Sequence, residues 1–227
     1  MNPNMARMDT PNRSSAGQVP AIVPIREIGP RYRDQVARHL LALDEHDRYL
    51  RFGYVASDEQ IRRYVKGIDF EGDRVFGIFN RKLELIAVAH LARPSEFRRH
   101  GFSEFGVSVA KQARGRGFGS RLFERAAIYA VNEGVKTLYI HALSENAAMI
   151  RIARKAGATV ARAGSESECH LDLPVATLET RVSGLFSEQL GQLDYWLKSE
   201  MSQIRSLLGL VQQVRAGVQD ARHKAGS

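Results

Sequence analysis

A chain of 227 residues with 44% apolar and 26% charged side chains can bury a core, which excludes global disorder and leaves room for one domain with an appendage. Its 33 Lys and Arg against 25 Asp and Glu give a net charge of +8, which favours anionic partners: nucleic acid, an acidic membrane surface or a phosphate-bearing cofactor. The single cysteine, Cys169, excludes an intramolecular disulfide and any CxxC metal pair, and fits a reducing cytoplasm.

Residues 1–20, "MNPNMARMDTPNRSSAGQVP", hold no apolar signal-peptide core and are punctuated by Pro, Asn, Ser and Gly, so they read as a disordered tail. "AIVPIREI" reads as a first strand, kept to a sheet edge by Pro24. "RYRDQVARHLLALDEHDRYLRF" carries Val36, Leu40, Leu41 and Leu43 at helical spacing and predicts one amphipathic helix. In "SDEQIRRYVKGI" Ser57 is a candidate N-cap, Asp58 and Glu59 suit the positive end of a helix dipole, and Gly67 lies near the helix end.

The period then changes. "RVFGIF" and "LELIAVAHL", separated by "NRKL", read as a hairpin, and "EFGVSV" as a further strand. A glycine-rich turn follows, then a long helix, "SRLFERAAIYAVNEG", with Leu122, Phe123, Ala126, Ala127 and Ala130 on one side. "KTLYIHAL" is a strand. "SENAAMIRIARKAG" is a helix with Ser144 as candidate cap, and "ATVARA" and "ECHLDL" are two short strands. The predicted order over residues 21–173 is β-α-α-β-β-β-α-β-α-β-β, an α/β (α+β layered) fold with a mixed, mostly antiparallel sheet flanked by helices.

Beyond Pro174 the composition shifts. Leu190, Leu197, Ile204, Val211 and Val218 recur every seven residues, with Leu193, Leu207, Val214 and Ala221 at companion positions. Residues 174–227 therefore predict a helical extension whose apolar seam either packs back on its own domain or joins a second copy of the chain. Nowhere is there a run of about 18 apolar residues, so no membrane span is expected.

The turn in "SVAKQARGRGFGSRLFERAAIYA" alternates Gly115, Gly117 and Gly119 with Arg114 and Arg116. Amides at a helix start lack intrahelical partners, and with the helix dipole they make an anion site. Glycines let the backbone approach a phosphate without a Cβ in the way. The Gly-Lys-Ser/Thr of a P-loop is missing, and so is the parallel βαβ context of a Rossmann fingerprint. A disordered RG tract would lack the strand before the turn and the apolar periodicity after it, so nucleic-acid binding is not expected.

"Gln112-Ala113-Arg114-Gly115-Arg116-Gly117" matches the Q/R-x-x-G-x-G/A signature of the GNAT N-acetyltransferases. "EFGVSVAKQARGRGFGSRLF" resembles that family's fourth strand, pyrophosphate loop and following helix, and "SENAAMIRIARKAGA" resembles a later segment with an Asn at a helix start. The resemblance covers residues 21–173. It implies a fourth and fifth strand that splay apart, with the pantetheine arm of acetyl-CoA lying in the opening against Val107 and Val109. It implies a pyrophosphate held by the amides of Gln112, Ala113, Arg114, Gly115, Arg116, Gly117, Phe118, Gly119 and Ser120. Asn146 matches the family's Asn near the pantetheine, and no metal is implied.

The implied reaction is acetyl transfer to an amine by direct attack in a ternary complex, with no covalent enzyme intermediate. A protonated amine is no nucleophile, so a carboxylate or His must take its proton. Glu104, at the start of the strand, resembles the family's general base. His141, on the next strand, is a second candidate, against a half-buried structural His. The Val109 amide is the candidate donor to the thioester oxygen. The Tyr that protonates the departing thiolate in many relatives is replaced here by Ala153, which leaves a catalytically weak acyl-CoA-binding regulatory module as the alternative. Asp44, Arg48, Arg51 and Phe52 fall in the region that walls the acceptor site in the family, or else pair and pack between two helices. Arg151 and Arg154 could meet CoA phosphates or simply be solvated. Cys169 reads as a small buried filler. The amine acceptor, small molecule or protein, is not named by any of these residues.

Overall fold

A computed structural model describes residues 24–93, 100–164 and 166–176. The expected tail 1–20 and almost all of the heptad-patterned extension lie outside the described residues. In chain order the elements are β1 (Arg26–Glu27), α1 (Arg33–Leu41), α2 (Glu45–Phe52), α3 (Asp58–Lys66), β2 (Arg74–Phe79), β3 (Leu85–Ala92), β4 (Phe102–Val109), α4 (Phe118–Asn132), β5 (Thr137–Leu143), α5 (Ala147–Lys155), β6 (Thr159–Ala163) and β7 (Glu166–Asp172). Single 3-10 turns at Pro30–Tyr32 and Lys111–Ala113 precede α1 and α4. Among the described residues no helix is long and apolar enough to cross a membrane.

The strands form one seven-stranded sheet in the order β1-β2-β3-β4-β5-β7-β6. Every neighbouring pair is antiparallel except β4 and β5, which are parallel and joined by a crossover through α4. The expected mixed, mostly antiparallel sheet is therefore observed, with β1 at an edge as Pro24 requires.

Alternation along the strands splits the core in two. Odd positions of β4 and even positions of β5 face α4 and α5, where Phe105, Leu122, Phe123, Leu138, Ile140 and Cys169 are buried together. The opposite face packs against α1 and α3 through Val36, Leu40, Ile61, Val65 and Val88. Glu104, Gly106 and Ser108 on β4, and Tyr139 and His141 on β5, share this second face.

One helix count and one helix cap differ from expectation, and β4 begins at Phe102, two residues before the predicted start at Glu104. The single helix predicted over "RYRDQVARHLLALDEHDRYLRF" is two. Asp44 accepts the Asp47 amide at 2.8 Å and caps a fresh helix. Arg48 stabilises the break by donating to the carbonyls of Leu41 (2.7 Å), Leu43 (3.0 Å) and Ala56 (3.0 Å), and pairs with Asp58 at 2.8 Å. The cap of α5 is Asn146, whose Oδ1 accepts the Met149 amide at 3.1 Å, and not Ser144. Ser144 lies two residues too early, and its hydroxyl bonds the Gly164 carbonyl at 3.2 Å and Ser167 at 3.0 Å. The Ser57 cap of α3 is as predicted, completed by a reciprocal bond from the Ser57 amide to Gln60 at 2.8 Å.

Candidate active site

The parallel pairing of β4 and β5 is short. It runs only from Phe102, Ser103 and Glu104 against Thr137, Leu138 and Tyr139, after which the strands diverge. Among the described residues, the β5-facing peptide groups of β4 from Phe105 to Val109 have no strand partner, and a bound chain of amides can pair with them. The gap opens into a cavity of about 530 Å³ walled by Glu104 to Val107 of β4, Ile140 to Leu143 of β5, Asn146 and Met149 of α5, and Leu50 to Gly53 of α2.

At the far end of β4 the chain enters the glycine turn. Ala110 donates to Ile86 at 2.9 Å and Ala113 is buried, so the turn starts from a fixed point. Gly115 and Gly117 both have φ near +74°, at +74° and +73°, the left-handed region that a side chain makes costly. Gly117 is the N-cap of α4, and the first intrahelical bond is from the Arg121 amide to the Gly117 carbonyl at 3.1 Å. The amides of Phe118, Gly119 and Ser120 are thus left over by helix geometry, at the positive end of a 15-residue helix. Phe118 is buried, contributing about 1.5–3 kcal/mol that pins this first turn to the core. Diphosphate chemistry fits such a site.

The residues of the turn also have roles within the fold. A Cβ on Gly115 or Gly117 would meet no protein atom within 4 Å, so within the chain itself it is their positive φ that calls for glycine. A Cβ on Gly119 would lie 3.1 Å from Ile152 Cδ1, so its smallness serves the contact between α4 and α5. Arg114 is ion-paired to the buried carboxylate of Asp47 and also donates to the Val109 carbonyl at 3.3 Å. It ties the turn to α2. Lys111 pairs more loosely with Asp44 at 3.7 Å, and Arg116 stacks over Phe118 with 4.6 Å from its Cζ to the ring centre. Gln112 is exposed beside them.

Glu104 is half-buried in the cavity wall, in register with Tyr139 on β5 and Ala92 on β3. His141 lies on the same face, but among the described residues it is exposed and not half-buried, because the strands diverge there; Glu168 stands opposite on β7. Val107 is in the wall. Val109 sits beyond it, its Cγ2 4.0 Å from where a Gly119 Cβ would be, so the structure does not bring it together with Glu104. Asn146 donates from Nδ2 to the Leu50 carbonyl at 3.3 Å, joining the start of α5 to α2 in the cavity wall. Ala153 is fully buried, and Arg151 and Arg154 are exposed. Cys169 is buried in the core, and burial raises its thiol pKa above the usual 9.0, which suits a filler and not a nucleophile.

Of the four α2-region residues, Asp44 and Arg48 are structural, as capping and carbonyl bonding show. Arg51 and Phe52 line the cavity. A Cβ on Gly106 would lie 2.6 Å from Arg51 Nη2, so the guanidinium crosses the sheet over a glycine gap. Arg51 stacks against the Phe52 and Tyr64 rings and donates to Tyr64 Oη at 2.8 Å.

Three residues here carry no sequence motif. Tyr64 Oη meets His90 Nδ1 at 2.7 Å, and His90 Nε2 meets Asp73 Oδ2 at 2.9 Å. Asp73 also accepts the Arg93 amide at 2.8 Å and the Asp69 amide at 3.3 Å. Burial opposes ionisation of Asp73, but these hydrogen bonds outweigh it and hold the carboxyl below its ordinary 3.8. A second feature is His39, buried under β4, with Nδ1 at 2.9 Å from the Leu85 carbonyl and Nε2 at 2.8 Å from Ser108 Oγ. Burial lowers its pKa below 6.5, so Nδ1 donates and Nε2 accepts the serine proton.

The comparisons with known proteins agree with this architecture. Residues 25–159, more than half of the chain, match the acetyltransferase (GNAT) domain, and the chain belongs to that family, whose general activity is acyl-CoA-dependent acyl transfer. The GNAT domain of S. lividans PAT superposes with a TM-score of 0.56 at 21% identity, over 66% of this chain and 89% of that one. A GNAT-family acetyltransferase from Streptococcus pneumoniae gives 0.53 at 15%, over 66% and 98%. Spermidine N-acetyltransferase from Vibrio cholerae, in complex with CoA and spermine, gives 0.52 at 18%, over 65% and 94%. A search of curated proteins by sequence finds no match.

Proposed function

We propose that this chain transfers an acetyl group from acetyl-CoA to a primary amine by direct attack in a ternary complex. The observation that carries the reading is the β4–β5 opening, with a carboxylate in its wall and a helix N-terminus of unpaired amides at its end. Acetyl-CoA supplies an activated thioester. The amides of Phe118, Gly119 and Ser120 bind its diphosphate, and the free edge of β4 near Val107 bonds its pantetheine amides. Glu104 takes a proton from the amine as the C–N bond forms. With Ala153 in place of a Tyr, the departing thiolate collects its proton from water or from Glu104.

The test is acetyl-CoA binding by thermal shift, followed by amine-dependent thiol release across a panel of small amines and peptides. Glu104→Gln is expected to lower kcat by about 10²–10⁴-fold with the acetyl-CoA shift retained. A shift with acetyl-CoA but no thiol release with any amine would leave a regulatory CoA-binding module. A shift with RNA and none with acetyl-CoA would remove both readings.

A further inference from the structure

An acceptor that arrives as an ammonium has two protons to lose, and one carboxylate holds one at a time. The acceptor face of the cavity contains a second set of groups suited to the other proton. Asp73 is an ionised acceptor, so the proton on the short Asp73–His90 contact is on His90 Nε2. In neutral His90, Nδ1 is then an acceptor, and Tyr64 donates its phenolic proton to it across 2.7 Å. Arg51 occupies one lone pair of Tyr64 Oη at 2.8 Å. A hydroxyl has two lone pairs, so one remains. Tyr64 lines the same cavity as Glu104 and Arg51. Tyr64 and His90 also line a separate cavity of about 440 Å³, with Tyr54, Gln60, Arg63 and Ile68. The hydrogen-bonded line therefore runs from the candidate active site to a different cavity.

We propose that Tyr64 is a second proton acceptor for the amine, working through His90, which Asp73 orients and which lines the second cavity. This rests on the acyltransferase reading above. The ammonium proton passes to Tyr64 Oη as the phenolic proton passes to His90 Nδ1. Tyr64 ends neutral, and the imidazolium is paired with Asp73. The neutral amine attacks the thioester carbon, the C–N bond forms and the C–S bond breaks. The second amine proton goes to Glu104 and from it to the thiolate. The His90 proton returns to water in the second cavity, so one proton is released per acetyl transferred. Tyr64 is the catalytic residue, and His90 and Asp73 are positioning residues. Its ring is held for this task by edge contacts with Phe52 (5.4 Å) and His90 (5.8 Å). The charged groups around His90 are Asp73, bonded to it; Arg51, bonded to its partner Tyr64; Arg63, which lines the second cavity with it; and Glu104, two places along β4 from its opposite residue Gly106.

The experiment measures kcat and KM of the full chain with acetyl-CoA and the best amine of the panel, from acid to alkaline pH. Tyr64→Phe keeps the ring and removes only Oη. Its kcat/KM for the amine is expected to fall about 10²-fold at neutral pH. The deficit should shrink as pH approaches the amine's own pKa, because the amine then arrives deprotonated. The KM for acetyl-CoA should not change. Asp73→Asn should show the same pattern with a smaller loss. A Tyr64→Phe rate equal to wild type, or a loss of equal size at every pH, overturns the relay. Glu104→Gln losing rate while Tyr64→Phe keeps it overturns the relay and leaves the acyltransferase reading standing. A wild-type protein with no amine-dependent thiol release overturns both. Should Tyr64→Phe fail to fold, ¹⁵N shifts of His90 in the wild-type protein decide: the Nε2–H tautomer is expected, and the Nδ1–H tautomer overturns the proposal.

Discussion

Gly106→Ala is the most direct perturbation of the acceptor side. The new Cβ would lie 2.6 Å from Arg51 Nη2, 2.7 Å from Cζ and 2.9 Å from Nη1. Non-bonded contact needs about 3.5 Å, so the guanidinium must retreat by about 0.9 Å. The Nη2–Tyr64 Oη bond of 2.8 Å would then lengthen past hydrogen-bonding range. A hydrogen bond to a charged group contributes about 1.5–3 kcal/mol, and replacing a strand glycine by alanine returns roughly 0.5–1. The net cost is about 1–2 kcal/mol, within reach of urea denaturation. The effect on acceptor KM should be larger than on acetyl-CoA affinity, because Arg51 lies on the α2 wall and not at the phosphate-type turn. The assay pairs urea melts with amine saturation curves. Unchanged stability together with unchanged amine KM would refute the close-packed placement of Arg51 over Gly106.

Buried His39 makes a prediction in pH. Its folded pKa is below the unfolded 6.5, so the unfolded chain binds more protons there and stability falls as pH drops through 6.5 toward the folded pKa. The slope is at most about 1.4 kcal/mol per pH unit, and the stability is fully present above the unfolded value. Urea melts of wild type and His39→Gln between pH 5 and 8 should differ in slope; parallel curves would contradict a neutral, desolvated imidazole. Arg48→Met keeps the stem but strips three carbonyls of their donor, and should cost about 2–4 kcal/mol by thermal melting while leaving acetyl-CoA affinity unchanged. A cost under 0.5 kcal/mol would return Arg48 to the acceptor-wall candidates.

Much of the fold was legible because it is written locally. Period-two runs located the strands, the Ser57 capping pattern located α3, and strand–glycine–helix order located the turn that opens α4. The α1–α2 break was not, since Asp44 sits inside an unbroken apolar period and only Arg48 reaching back to Leu41 and Leu43 shows why the chain stops. His141 was misjudged as half-buried because exposure there depends on how far β5 diverges from β4.

By itself the sequence determined most of the elements, the family and the strand–glycine–helix order of the turn, since each is a matter of neighbours along the chain. The tertiary structure decided which polar groups meet. Arg51, Tyr64, Asp73 and His90 come from α2, α3, a turn and β3, and no spacing announces them. They meet because α2 and α3 pack on the sheet face that Gly106 leaves open, and because hydrogen bonds act over 3 Å whatever the distance along the chain.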